Sequence, residues 1–229
     1  KEFQKRDQYV DIYHVISPIT RNELSKLTEK EIVYIPFWVN QNIWFEIENK
    51  TNLRKNLDIK KDSFLVGSFQ RDTEGSDLIS PKMIKGPDRF VEIVKYLNDI
   101  ENNLIVLLTG KRRGYVIAEL EKSNINYIYF EMVDFKKLNE LYNCLDLYIV
   151  SSRIEGGPQA IVECGITKTP IISTNVGVAS EILSQESIFD MSNYKKSKPN
   201  IEIAYTNSLN LTIPEGFKKY LTMFESLLK

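Results

Sequence analysis

The stretch LYIVSSRIEGGPQAIVECG, residues 147–165, reads as a short strand, a glycine turn and the opening turns of a helix. Leu147–Val150 is apolar throughout, as a parallel strand covered on both faces must be. Gly156 and Gly157 let the backbone approach a ligand closely, at an entropic cost an ordinary turn does not carry. Pro158 is tolerated in a first helical turn, so a helix start at about Gly157 is expected. Such a start presents unpaired amides and the positive end of a dipole, both suited to a phosphate. The turn also follows the carboxyl end of a strand, where open α/β sheets bind their ligands. At ~1.5 Å per residue, Glu163 falls roughly 9 Å beyond the helix start, while Glu155 stands at the turn itself. A carboxylate accepts two hydroxyl hydrogen bonds, so a ribose diol is a natural partner for Glu163. From spacing alone a second reading stays open, in which Glu155 merely complements the dipole and Glu163 is an exposed helix residue.

Outward from this stretch, short β-rich runs alternate with helical patterns, which predicts an α/β fold with a Rossmann-like parallel sheet and helices on both faces. The expected strands are Ser63–Phe69, Leu104–Thr109, Tyr127–Phe130, Leu147–Val150 and Pro170–Ser173. Apolar residues at helical spacing lie between them, among them Phe90, Val91, Val94 and Leu97, then Leu138, Leu141, Tyr142 and Leu145. Gly86-Pro87-Asp88 marks a second helix start. The first 45 residues read differently, with a strand near Tyr9–Ile16, a helix from Pro18 to Leu27 and a strand Glu31–Pro36. One or two strands with a single helix cannot make a buried parallel sheet, so residues 1–45 are expected to be the tail of a preceding domain plus a crossover. Residues 46–212 form the main domain on this reading, entered through a polar linker with a short helix at Glu48–Lys61. A surface loop is expected at Ser192–Asn200. An amphipathic helix at Phe217–Leu228 closes the chain within residues 213–229.

The 229 residues, 42% of them hydrophobic, suffice for a substantial core and argue against disorder. Thirty Lys plus Arg against 31 Asp plus Glu leave a net charge of -1, without the basic excess of a nonspecific nucleic-acid binder. Cys144 and Cys164 have no metal-ligand spacing and no disulfide framework, which fits a reducing, cytoplasmic setting. No apolar run approaches the ~18 residues of a transmembrane helix. The opening KEFQKRDQYV has neither an initiator Met nor a signal-peptide apolar region, so the chain is expected to begin inside a longer parent. His14 is the sole histidine and reads as structural, which leaves no His-based nucleophilic or metal constellation.

The segment EGGPQAIVE, set between LDLYIVSSRI and CGITKTPIISTNVGVASEIL, resembles the E-x7-E signature of retaining glycosyltransferases of family 4. The resemblance runs from about Val33 to Leu183, through VYIPFWVN, FLVGSFQRD, IKGPDRF, LLTGKRR and LNELYNCLDLYIVSS in the family's order. It implies the GT-B architecture of two facing Rossmann-like domains, of which this chain would hold the donor-binding one and a remnant of the other. The implied reaction moves a sugar from a nucleotide-diphosphate donor to an acceptor hydroxyl with retention at the anomeric carbon. By the same resemblance, Glu155 faces the sugar hydroxyls and Glu163 the ribose. The backbone at Gly156, Gly157 and Gln159 faces sugar and phosphate, while Arg71 and Lys85 neutralise the diphosphate. Met132, in the loop 130–133, is the choice for base recognition. Neither a metal nor another cofactor is implied, since the chain has no Asp-x-Asp motif and Asp72-Thr73-Glu74 is only a loose approximation. The acceptor, a glycan, lipid or small molecule, would be held by the N-terminal domain, leaving this chain weak or inactive alone. Many relatives work at the inner membrane face.

The pattern departs from the family at several points. Arg71 lies four residues after Gly67, the insertion TEGSDLISPKM lengthens the path to Lys85, and Lys82 is its rival for the phosphate. Gly157-Pro158 replaces an aromatic-glycine pair, and Trp38 stands at a crossover position often held by glycine. Lys111, Arg112 and Arg113 read as a solvated charge run, with a phosphate contact as the alternative. A GT-B nucleotide-sugar epimerase and a non-catalytic nucleotide-sugar-binding module are the two other functional classes that the sequence leaves open.

Overall fold

The computed structural model describes residues 2–228. After a short helix α1 (Glu2–Asp7), strands β1 (Ile12–Val15) and β2 (Glu31–Tyr34) pair in parallel across helix α2 (Pro18–Leu24). Ser17 caps α2 through its side chain, which accepts from the Thr20 amide at 3.2 Å, and Pro18 occupies the first turn. The main sheet is parallel throughout and holds β3 (Phe64–Ser68), β4 (Leu104–Thr109), β5 (Tyr127–Phe130), β6 (Leu147–Val150), β7 (Ile171–Thr174) and β8 (Ile188–Phe189). Their order, β5-β4-β3-β6-β7-β8, reverses direction between β3 and β6. That reversal is the switch point of a doubly wound sheet, where the loops leaving two neighbouring strands part and open a crevice.

Two apolar cores cover the two faces, and the alternation of side chains along each strand decides which core a residue joins. Leu65, Leu107, Tyr148 and Val150 face α6 (Phe135–Cys144), α7 (Gln159–Ile166), α8 (Ala179–Ile182) and α9 (Ile201–Leu209). Val66, Val106, Leu108, Leu147 and Ile149 face α4 (Pro87–Ile100) and α5 (Gly114–Lys122). The helix α9 shows little apolar periodicity in sequence, yet it lies so close to α7 that a Cβ on Gly165 would come within 2.0 Å of Ser208 Oγ.

The five strands expected for this sheet are present with ends shifted by at most one residue. The pair β8 is added at its edge, too short to carry a pattern. Glu48–Lys61, expected as a linker, is docked instead. Its helix α3 (Lys50–Lys55) lies on α6, and the buried Arg54 donates to the Cys144 carbonyl at 2.7 and 3.0 Å while pairing with Asp146. The closing helix α10 (Glu215–Leu227) returns to the N-terminal strands. Its Tyr220 hydroxyl donates to the Pro36 carbonyl at 3.1 Å, and Phe217 meets Trp38 edge to face at 5.7 Å. His14 is held in the same contact, 2.9 Å from the Ile35 carbonyl and edge-on to Tyr220. Among the described residues no helix is long and apolar enough to cross a membrane.

Candidate functional site

The crevice at the switch point measures about 460 Å³ and is walled by the loops after β3 and β6 together with the starts of α6 and α7. One side begins at Gly86, which caps α4 with φ +62. A Cβ there would lie 1.9 Å from the Ser151 carbonyl oxygen, so only glycine lets the start of α4 press against the end of β6. Ser151 closes the contact by donating its hydroxyl to the Gly86 carbonyl at 2.9 Å. The neighbouring Lys85 is thereby carried to the floor of the crevice, where its ammonium pairs with the Glu155 carboxylate. Both side chains are sheltered, 24% and 12% exposed respectively. Ser152 donates to the same carboxylate at 2.9 Å, and the Gln70 amide donates to the Lys85 carbonyl at 3.1 Å.

On the other side, α7 starts at Gln159 rather than Gly157, with Pro158 in the cap position. Glu163 therefore stands one turn, or about 6 Å, along the helix. Gly157, Pro158, Gln159 and Glu163 line the crevice, whereas Gly156 does not. The glycines answer to packing as well as to any ligand: a Cβ on Gly157 would lie 3.0 Å from the Ile16 side chain, and Gly177 is pressed against Pro158. The carboxyl of Glu163 accepts a 2.7 Å hydrogen bond from the Tyr142 hydroxyl. Burial pushes this carboxyl up to about 7, and the tyrosine bond offsets only part of the shift. Tyr142 is itself buried against Trp44, Phe69 and Tyr148, with ring centroids 5.6, 4.9 and 5.4 Å away. Glu163 also borders an apolar recess of about 390 Å³ under Trp38 and Trp44.

The crevice thus brings together Lys85, Glu155, Gly157, Gln159 and Glu163, and leaves other expected residues outside. Arg71 is exposed and does not line it; Phe69 and Gln70 are the residues after β3 that do. The chain turns away at Asp72, whose amide and that of Thr73 donate to the Arg112 carbonyl at 3.0 and 3.2 Å. The Asp72 carboxylate lies 3.0 Å from Arg113 Nε in a buried pair. Burial raises Asp72 to about 6 despite the attraction of Arg113 and of the amides of Val116 and Tyr115. Arg113 is therefore neither a solvated charge nor a phosphate contact: it anchors the inserted loop, and Arg112 assists by donating to the Gly75 carbonyl at 2.8 Å. Lys82 does not line the crevice, and Met132 is 68% exposed outside it. Tyr142, Gln70 and Ser152 were not singled out in the sequence. A tyrosine within an otherwise apolar helix face was the one available signal for the first. Among the described residues no group of three His, Cys, Asp or Glu is placed to hold a metal ion.

A doubly wound parallel sheet with a polar crevice at its switch point, and a helix start facing into it, defines a Rossmann-like domain of the kind found in GT-B proteins. The chain belongs to the family Glycosyl transferases group 1, whose profile matches residues 79–211. Its fold is similar to sucrose-phosphate synthase from Thermosynechococcus elongatus, with TM-score 0.76 and 14% identity over 96% of this chain and 59% of that one. It is equally similar to Anabaena Alr3699/HepE in complex with UDP and glucose, with TM-score 0.76 and 12% identity over 96% of this chain and 64% of that one. A glycosyltransferase from Rickettsia africae matches with TM-score 0.76 and 18% identity over the whole of this chain and 68% of its own. The chain thus spans about three-fifths of the length of the first two of these structures. No curated protein matches it by sequence.

Proposed function

We propose that this chain is the donor-binding part of a retaining glycosyltransferase of family 4, which moves a sugar from a nucleoside-diphosphate donor to an acceptor hydroxyl. One observation carries the reading: Glu155 beside Lys85 and Glu163 beside Tyr142 line a single crevice on either side of the start of α7. In the proposed complex, Glu163 accepts from the ribose and Glu155 from the sugar. The diphosphate lies between them against Lys85 and the first amides of α7. As the bond from the anomeric carbon to the phosphate oxygen breaks, negative charge grows on the departing diphosphate while the sugar becomes cationic. Fixed positive groups already aimed at that oxygen lower the barrier because they need no reorganisation. Lys85, which pairs with Glu155 before the donor arrives, turns toward the phosphate as the donor binds, so that it is in place before the bond breaks and Glu155 is free for the sugar hydroxyls. Gln70 supplies a neutral donor beside Lys85, at the position where Arg71 had been expected. The acceptor is proposed to be a hydroxyl of a glycan, lipid or small molecule. Anabaena Alr3699/HepE, whose fold is similar, is found in complex with UDP and glucose and with UDP-glucose, which supports the same donor class here.

The test is a thermal-shift panel of UDP, GDP, ADP and their common sugar conjugates on this chain. A ligand at 100 times its dissociation constant adds ~2.7 kcal/mol, or about 5–10 °C for a chain of this size. A shift with one diphosphate, lost in Lys85→Ala, is the expected result. The absence of a shift with every nucleotide would sink the donor-binding reading.

A further inference from the structure

Resting on that reading, we propose that Tyr142 is the positioning residue for the nucleotide ribose: its hydroxyl holds Oε2 of Glu163 and leaves Oε1 to accept from a ribose hydroxyl. The 2.7 Å bond ties α6 to α7 across the wall of the crevice, and both residues line it. The phenol cannot easily swing away, because the rings of Trp44, Phe69 and Tyr148 all pack against its own. A carboxyl held at one oxygen by a fixed donor presents its other oxygen in one direction, which is what reading a single hydroxyl needs.

The partner is a neutral phenol and not a cation, and this has a further consequence. The titratable groups bearing on Glu163 are Tyr142 from α6, Tyr148 from β6 and Cys164 of its own helix, all raised by burial and neutral near pH 7. Lys85, the cation of the crevice, is paired with Glu155. The Glu163 carboxyl therefore loses its proton close to neutrality, and the Tyr142 hydroxyl is the group that eases that loss. Ribose recognition by the carboxylate becomes coupled to pH through this one hydrogen bond.

The experiment compares the wild type with Tyr142→Phe, which keeps the ring packing, and with Glu163→Gln. Carboxyl NMR of carbon-13 glutamate follows the unliganded protein, and Glu163→Gln identifies the resonance. Calorimetry at pH 6 and pH 8 measures UDP, GDP and ADP, then the 2'-deoxy counterpart of whichever binds. The expected result is a carboxyl midpoint near 7 that moves upward in Tyr142→Phe. Affinity for the ribonucleotide should fall about tenfold at pH 7 in that variant, with little change for the deoxy compound, and recover part of the loss at pH 8. Glu163→Gln should erase the ribose preference at both pH values. An equal weakening of both nucleotides with an unmoved midpoint would make Tyr142 a packing residue and overturn the proposal, while leaving the donor reading intact. A moved midpoint without binding of any nucleotide would overturn the ribose role together with the donor reading.

Discussion

Replacing Glu163 by Gln should stabilise the unliganded protein, and the gain should depend on pH. The carboxyl is largely buried and rises from its ordinary 4.5 to about 7, with burial as the dominant cause and the Tyr142 bond as a partial offset. Between these two values the folded chain holds a proton that the unfolded chain has released, so stability falls as pH rises through this window. Below about 4.5 both states are protonated and the difference vanishes; above about 7 the full penalty applies. A shift of this size corresponds to roughly 3 kcal/mol at 1.36 kcal/mol per unit. The amide of Gln carries no charge, and its oxygen can still accept from Tyr142. Urea denaturation at pH 5 and pH 8 should therefore show Glu163→Gln more stable than the wild type by about 1–3 kcal/mol at pH 8, and by well under half of that at pH 5. Such a result would place Glu163 among residues that are retained for binding at a cost in stability. A variant destabilised equally at both pH values would refute the reasoning, since it would show that the carboxyl is charged, solvated and held by its contacts.

The remaining expectations concern the groups around it. Lys85→Ala should weaken a nucleoside diphosphate by about 100-fold, the scale of a lost charge-assisted contact, while leaving the parent nucleoside within about twofold. Calorimetry with both ligands measures the difference. Gly86→Ala should destabilise by more than about 2 kcal/mol, because its φ of +62 and the 1.9 Å approach to the Ser151 carbonyl leave no room for a methyl group; urea denaturation reads it directly. Arg113→Met should destabilise by a cost that grows as pH rises above about 6, toward about 3–5 kcal/mol at alkaline pH, because loss of the guanidinium raises Asp72 further and leaves it protonated or stranded in the interior. Limited proteolysis should then cut within residues 73–81, and equal stability with an uncut loop would show that the pair anchors nothing.

The strands of the main sheet were legible because a parallel strand buried on both faces must be apolar throughout, as Leu104–Leu108 and Leu147–Val150 are. Lys85 was equally legible, since a glycine-proline helix start fixes its position one residue before the cap. Helix α9 and strand β8 were not, because the first packs by the close approach of Gly165 to Ser208 and the second is two residues long. The run Lys111–Arg113 misled because a sequence of charges does not reveal which member has a buried partner. Asp72 lies forty-one positions before Arg113, and nothing in the local pattern joins them.

From the residues alone follow the layered α/β fold, the glycine turn at Gly156-Gly157 and the presence of two carboxylates eight positions apart. These depend on periodicity, backbone freedom and helix rise, which are properties of neighbouring residues. The tertiary structure alone decided that Gln70 and not Arg71 faces the crevice, that Glu155 is paired with Lys85, and that Glu163 rests on Tyr142. Each of those depends on which elements meet at the switch point. Hydrogen bonds and desolvation act over a few ångströms in space, whatever the distance along the chain.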